Sequence, residues 1–237
     1  ERSTLRYSLI PSLLSVYDYN TKHNNSNINL FEIGKSYYVK DKEHYEEEKL
    51  TLLMSGTYYN KLGSNREVNY YIIKGILEKV LNYLGYNNRY YYKKEDLPKE
   101  LHPGVAASIY IDNKKVGIIG KIHPTITKDN IFVVEVNLSL LKDIKTSKMK
   151  YKEINKFPGI TKDLAFVLDK NITSEEVIKT IKKSGGRLLT KIEVFDLYID
   201  PSLGDNNKSL AFSLYFEDPN KTLTLEEVTE VFTKITD

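Results

Sequence analysis

Two histidines, His102 and His123, each stand before a proline, and Glu46-Glu47-Glu48 sets three carboxylates in succession. Imidazole and carboxylate are the side chains that hold divalent cations, so these positions are weighed first for metal chemistry. The chain has no cysteine, which removes disulfides, thiolate nucleophiles and the usual structural zinc sites together. His102 and His123 lack the helical spacing that would present two rings to one ion, and both read as turn residues. The glutamate run reads as a solvated turn. No metal is assigned. The tyrosine groups Tyr70-Tyr71 and Tyr90-Tyr91-Tyr92 offer a partner surface or, more plainly, half-buried helix and strand positions.

Bulk charge gives no second lead. The chain carries 35 Lys and Arg against 32 Asp and Glu, a formal net charge of +3, so any RNA contact must be local. Its 237 residues, 41% hydrophobic, suffice for two ordinary domains. Apolar runs such as Ile118-Ile119 and Val133-Val134 are far too short to cross a bilayer, and nothing at the N-terminus reads as a signal peptide. A soluble protein of a reducing cytoplasm is expected. The chain begins with Glu1, and Ser3 to Leu14 already reads as domain interior, so a fragment of something longer is expected.

The elements that must position any site fall into two groups. Leu5 to Tyr19 carries a helical stripe in which Pro11 is tolerable only in the first turn. Asn20 to Asn29 reads as a loop, Ile28 to Val39 as a strand, and Leu50 to Tyr58 as its hairpin partner across a charged Lys40 to Lys49 turn. Asn69 to Leu84 is the clearest helix, closed by Gly85. Ala106 to Ile111 and Lys115 to Ile122 form a hairpin around Asp112-Asn113-Lys114, and Ile131 to Val136 adds a strand. A mainly antiparallel sheet with flanking helices results.

The lysine-rich segment Lys142 to Lys152 lacks a buried stripe and marks a domain boundary, set between residues 148 and 149. Beyond it, Lys162 to Leu168 reads as a strand and Thr173 to Ser184 as a helix opened by a Thr173/Glu176 capping box and closed by Gly185-Gly186. Leu188 to Tyr198 and Ser209 to Phe216 read as strands around a Pro201 to Lys208 loop, and Thr224 with Glu227 caps a last helix. Strand, helix, strand, strand, helix is a split βαβ pattern without its last strand. In that topology Asp163 to Leu168 is left as an exposed edge, to be covered by further residues or another segment.

Particular stretches carry a family resemblance. Phe157-Pro158-Gly159-Ile160-Thr161-Lys162-Asp163-Leu164-Ala165-Phe166, Phe195-Asp196-Leu197-Tyr198, Lys208-Ser209-Leu210-Ala211-Phe212 and Thr222-Leu223-Thr224 resemble, in order and spacing, the ferredoxin-fold anticodon-binding domain that ends bacterial-type phenylalanyl-tRNA synthetase beta chains. Upstream, Leu5 to Leu14, Leu30 to Lys35, Lys74 to Leu77, His102-Pro103-Gly104 and Gly117 to Pro124 resemble that subunit's synthetase-like module. The resemblance implies an α+β chain. Residues 1–148 would form a noncatalytic class II synthetase-like antiparallel sheet module with flanking helices, and 149–237 a ferredoxin-like split βαβ domain.

The resemblance further implies a noncatalytic part of phenylalanine–tRNA ligase. An active class II core follows a strand like Phe31 to Tyr37 with an arginine that grips the ATP α-phosphate; here Tyr38 stands there, and a phenol cannot neutralise phosphate. The second ATP-binding arginine motif is absent between Val105 and Val136. This stretch alone is therefore expected to be inactive and to hold no cofactor, with ATP and magnesium serving the complete enzyme. The expected partners are an alpha subunit, in an alpha-two, beta-two assembly, and tRNA(Phe), with no membrane. The family's Asp-x-Tyr and a serine opening the next strand approach the first anticodon base, and the matching residues are Asp196, Tyr198 and Ser209. A tyrosine ring stacks on a base, while carboxylate and hydroxyl can bond the Watson–Crick edge of guanine. Arg187, Lys191 and Lys208 are expected to help with phosphates, against the plainer role of edge lysines in deterring aggregation. The alternative is a stand-alone RNA-binding module without a ligase partner.

Overall fold

The computed structural model describes residues 4–59, 65–147, 153 and 155–236. The chain divides into two units, Glu1–Lys150 and Tyr151–Asp237. The boundary expected between residues 148 and 149 lies outside the described residues.

The first unit runs α1 (Ile10–Lys22), β1 (Ile28–Lys40), β2 (Glu43–Ser55), the short pair β3 (Thr57–Tyr59) and β4 (Asn65–Glu67), α2 (Tyr70–Tyr83), β5 (Tyr90–Lys93), β6 (Leu101–Ile111), β7 (Lys114–Ile122), β8 (Ile131–Asn137) and α3 (Leu138–Lys142). Its main sheet has the order β1-β2-β8-β7-β6-β5, antiparallel throughout. Alternation along β8 feeds two cores. Phe132, Val134 and Val136 pack with Ile73, Leu77 and Leu81 of α2, while Ile131 and Val133 pack with Ile10, Leu13 and Tyr17 of α1. A strand covered on both faces reads as a nearly continuous apolar run, as β8 does.

Local chemistry explains the boundaries. The Asn69 side chain accepts from the backbone N–H groups of Tyr71 and Ile72 and so caps α2. Gly85 ends that helix at φ +88°, where a Cβ would meet the Ser147 carbonyl at 2.8 Å. Helix α1 begins at Ile10, not Leu5, with Pro11 in its first turn. The proline ring would clash with the carbonyl four residues earlier in a longer helix. Arg6 instead lends its carbonyl to the Tyr37 N–H at 2.8 Å, and Leu5 and Tyr7 are exposed.

The charged stretch after Lys40 is strand, not turn. Only Asp41 and Lys42 turn the chain, both with positive φ, and Glu43 to Lys49 pair residue by residue with Gly34 to Lys40. Cross-strand partners make a charged strand stable at a sheet edge. Lys35 meets Glu46 at 2.6 Å, the Tyr38 hydroxyl donates to Glu47, and the Tyr38 and Tyr45 rings stack at 5.1 Å. Glu48 pairs with Lys142 at 2.8 Å.

One buried carboxylate ties the chain's start to this sheet. Glu135, on the α1 side of β8, accepts from the Ser8 hydroxyl at 2.9 Å, the Leu9 N–H at 2.8 Å and the Thr51 hydroxyl at 3.1 Å. Its other oxygen lies 3.2 Å from Lys49 Nζ, which also donates to the Tyr7 carbonyl.

The second unit runs β9 (Ile160–Asp169), α4 (Ser174–Gly185), β10 (Leu189–Tyr198), a 3-10 turn (Pro201–Leu203), β11 (Asn207–Phe216) and α5 (Leu225–Thr236). Its antiparallel sheet has the order β10-β11-β9, so among the described residues β9 is an edge, as expected of the split βαβ pattern without its last strand. Helices α4 and α5 supply Ile181 and Val228 to a core with Leu210, Phe212, Leu214 and Phe216. Both expected capping boxes form, Thr173 with Glu176 and Thr224 with Glu227.

The Thr173 backbone N–H and hydroxyl hold the Glu176 carboxyl below its ordinary value of 4.5. A lowered folded-state value stabilises above the unfolded value and is lost as pH falls through the folded one. Thr173→Ala should cost about 1 kcal/mol in urea unfolding at pH 7, and less once the pH has fallen through the lowered folded-state value and the carboxyl is protonated in both forms.

Candidate nucleic-acid interface

Strand β11 is the centre of the smaller sheet and separates two environments. Leu210, Phe212, Leu214 and Phe216 are buried beneath the helices, whereas Ser209, Ala211, Ser213 and Tyr215 lie on the opposite, open face. The pairing register lays four rows across that face. They are Tyr198–Ser209–Val167, Asp196–Ala211–Ala165, Glu193–Ser213–Asp163 and Lys191–Tyr215–Thr161.

Asp196 and Tyr198 reach the open face through a bulge. Lys191 and Glu193 are odd-numbered and open-facing; Asp196 and Tyr198 are even-numbered and open-facing too, because the register shifts between Val194 and Asp196. Without that shift the same sequence would turn both side chains toward the helices. The extra residue, Phe195, is exposed.

The structure thus brings Asp196, Tyr198 and Ser209 together. Tyr198 is 52% exposed and directly opposite Ser209. Asp200, just beyond, is held below the ordinary carboxylate range chiefly by Ser202, with the Tyr198 hydroxyl contributing. Asp196 Oδ1 accepts from the Leu197 N–H at 2.8 Å. Its Oδ2 and the Ser209 hydroxyl engage no partner among the described residues. An aromatic face, an acceptor and a donor-acceptor are thereby presented to solvent over a floor of Ala165 and Ala211, the set a single-stranded base uses.

The three cations of the sequence reading are not brought to this cluster. Arg187 precedes β10, roughly 36 Å along the chain from Tyr198 at strand rise, and its guanidinium is 3.4 Å from the buried Asp218 carboxylate. Lys191 lies on the open face about 20 Å from Tyr198 by the same measure. It pairs with Glu193 at 2.5 Å and sits 4.9 Å from the Tyr215 ring centre. That pairing raises the lysine's pKa and lowers the glutamate's. Lys208, next to Ser209 in sequence, is on the helix side, where its ammonium donates to the Lys170 and Ile172 carbonyls.

In the larger unit, Tyr38 presents a hydroxyl donated to Glu47; a phenol beside a carboxylate gives a phosphate no cation. His102 and His123 lie with ring centres 6.2 Å apart. His102 is within β6 rather than a turn, and its Nδ1 accepts from the Gly104 N–H, while His123 Nδ1 accepts from the Thr125 N–H. Each Nδ1 is thus engaged by a backbone N–H two residues further along the chain. Glu46, Glu47 and Glu48 alternate across β2 and do not converge. Tyr71 is exposed, but Tyr70 is half-buried and burial pushes its pKa up to about 12. No group of three or more metal-ligating side chains occurs among the described residues, and no helix there is long and apolar enough to cross a membrane.

Val167 also lies exposed on this open face, opposite Ser209. It interrupts the polar side of β9's alternation, where Thr161, Asp163 and Asp169 face outward.

Comparison with known proteins bears on both units. Residues 1–138 match the family model described as phenylalanyl tRNA synthetase beta chain CLM domain, and residues 155–237 match the ferredoxin-fold anticodon binding domain. Over 99% of its length the chain is 35% identical to the phenylalanine–tRNA ligase beta subunit of Bacillus subtilis and 33% identical to that of Listeria monocytogenes serovar 1/2a. The Bacillus cereus beta subunit is 35% identical over the same share. The chain spans 30% of the length of each of these relatives. With both units matched in order, the chain belongs to the phenylalanine–tRNA ligase beta-subunit family.

Proposed function

We propose that this chain serves a phenylalanine–tRNA ligase as a noncatalytic part of its beta subunit, reading the anticodon of tRNA(Phe) from the open face of the smaller sheet. The observation that carries this reading is the convergence of Asp196, Tyr198 and Ser209 on that face, with polar atoms left unspent. The tyrosine ring stacks on the first anticodon base, and the carboxylate and hydroxyl bond its edge. Phosphate contacts from Arg187, Lys191 and Lys208 require each cation to leave a partner within the fold, so they add less to binding than free cations would.

Chemistry falls to an alpha subunit, against which the larger unit packs in an alpha-two, beta-two assembly in the cytoplasm. ATP and magnesium act there, and Tyr38 in place of a phosphate-gripping arginine supports that division. A stand-alone RNA-binding module is the weaker reading, because similarity to ligase beta subunits extends over both units.

Tyr198→Ala in the full-length parent, in its native assembly, tests the proposal. Loss of one stacking platform removes about 1–3 kcal/mol, so the tRNA(Phe) dissociation constant should rise roughly 5- to 150-fold. Phenylalanine-dependent ATP–pyrophosphate exchange should stay unchanged. Unaltered tRNA binding, or equal loss in both assays, would overturn the assignment.

A further inference from the structure

The row Tyr198–Ser209–Val167 differs from the other three on the open face. It alone sets a large aromatic side chain and a branched apolar one on either side of a small polar residue. In the next row the β9 position is Ala165, too short to form a wall. In the third the outer positions are Glu193 and Asp163, with Asp163 bonded to Ser213. In the fourth the centre is filled by Tyr215. Val167 is 58% exposed on this face.

Resting on the anticodon reading above, we propose that Val167 is a base-binding residue. Its methyl groups form the second wall of a slot whose first wall is Tyr198 and whose floor is Ser209, and the occupant is one planar nucleobase of single-stranded RNA. The dimensions fit. Two strand spacings put the Val167 and Tyr198 Cα atoms about 9.5 Å apart. A base sandwiched at ordinary carbon contact distance needs about 7–8 Å between the groups facing it, so the slot admits one ring and not two. Ser209 in the middle keeps the floor low and lays a hydroxyl at the edge of the inserted base, and Asp196, in the neighbouring row, borders the slot on the side that extends over Ala211. Valine suits this position because its branched methyls are fixed by few rotamers and lose little freedom on contact.

The test uses the full-length parent in its native assembly, titrated with tRNA(Phe) carrying 2-aminopurine at the first anticodon position. Val167→Ala should raise the dissociation constant about three- to tenfold and relieve part of the fluorescence quenching that sandwiching produces. Val167→Ile should match wild type in both readouts. Tyr198→Ala is measured alongside. If Tyr198→Ala weakens binding while Val167→Ala does not, the second wall is refuted and the anticodon reading stands. If neither variant changes binding, both fall. If alanine and isoleucine weaken binding equally with quenching retained, Val167 acts through the fold alone and the proposal fails.

Discussion

Replacing Glu135 with alanine should destabilise the larger unit by about 3–5 kcal/mol, the cost of breaking a buried ion pair from one side. The carboxylate is 7% exposed and accepts from Ser8, Leu9 and Thr51 while facing Lys49. Its removal leaves the Lys49 ammonium, whose side chain is only 15% exposed, uncompensated in charge with only the Tyr7 carbonyl to receive it, and deprives an amide and two hydroxyls of their acceptor. Donors left unsatisfied in a buried site lose more than the net worth of the bonds themselves. Glu135→Gln should fall between alanine and wild type, since the amide keeps an acceptor oxygen but loses the charge opposite Lys49. Urea unfolding followed by far-ultraviolet circular dichroism is the measurement. An alanine variant within 1 kcal/mol of wild type would show that the network is dispensable.

The same residue shows where sequence reading stops. Within Ile-Phe-Val-Val-Glu-Val-Asn the glutamate interrupts an apolar strand, but its partners are drawn from positions some 80 to 130 residues away, and no local rule names them. What was legible was local. The α2 stripe with Gly85, both capping boxes and the Asp112-Asn113 turn depend on residues within a few positions of one another, and each formed as expected. Charged Glu43 to Lys49 misled because strand stability there comes from β1, across the sheet, and not from the residues' own propensities.

The candidate interface divides along the same line. That Asp196 and Tyr198 share a face follows from their spacing of two. Which face they share does not, because a single extra residue at Phe195 decides it, and a bulge is a property of pairing. Lys208 illustrates the converse. Adjacent to Ser209, it looked poised for phosphate, yet strand alternation sends it to the helix side and its donors to loop carbonyls.

Phe212→Ala should separate the interface from its support. Phe212 is fully buried, packs edge-to-face with Phe166 at 6.1 Å between ring centres, and lies opposite Val194 and Leu164 in the two flanking strands. Truncating such a ring costs about 3–5 kcal/mol, a large part of the 5–15 kcal/mol typical of a whole domain. At several degrees per kcal/mol, the calorimetric transition of the smaller unit should fall by on the order of 20 °C. Yet its neighbours in β11, Ala211 and Ser213, face the other way, and no atom of Phe212 reaches the open face. At a temperature where the variant is still folded, tRNA affinity should stay within about threefold of wild type, less than a 1 kcal/mol change. Tyr198→Ala should give the crossed result: a half-exposed ring removed, stability within about 0.5 kcal/mol, affinity lost. If both substitutions moved stability and affinity together, the two faces of β11 would not be separable, and Asp196, Tyr198 and Ser209 would belong to the core's upkeep and not to a base.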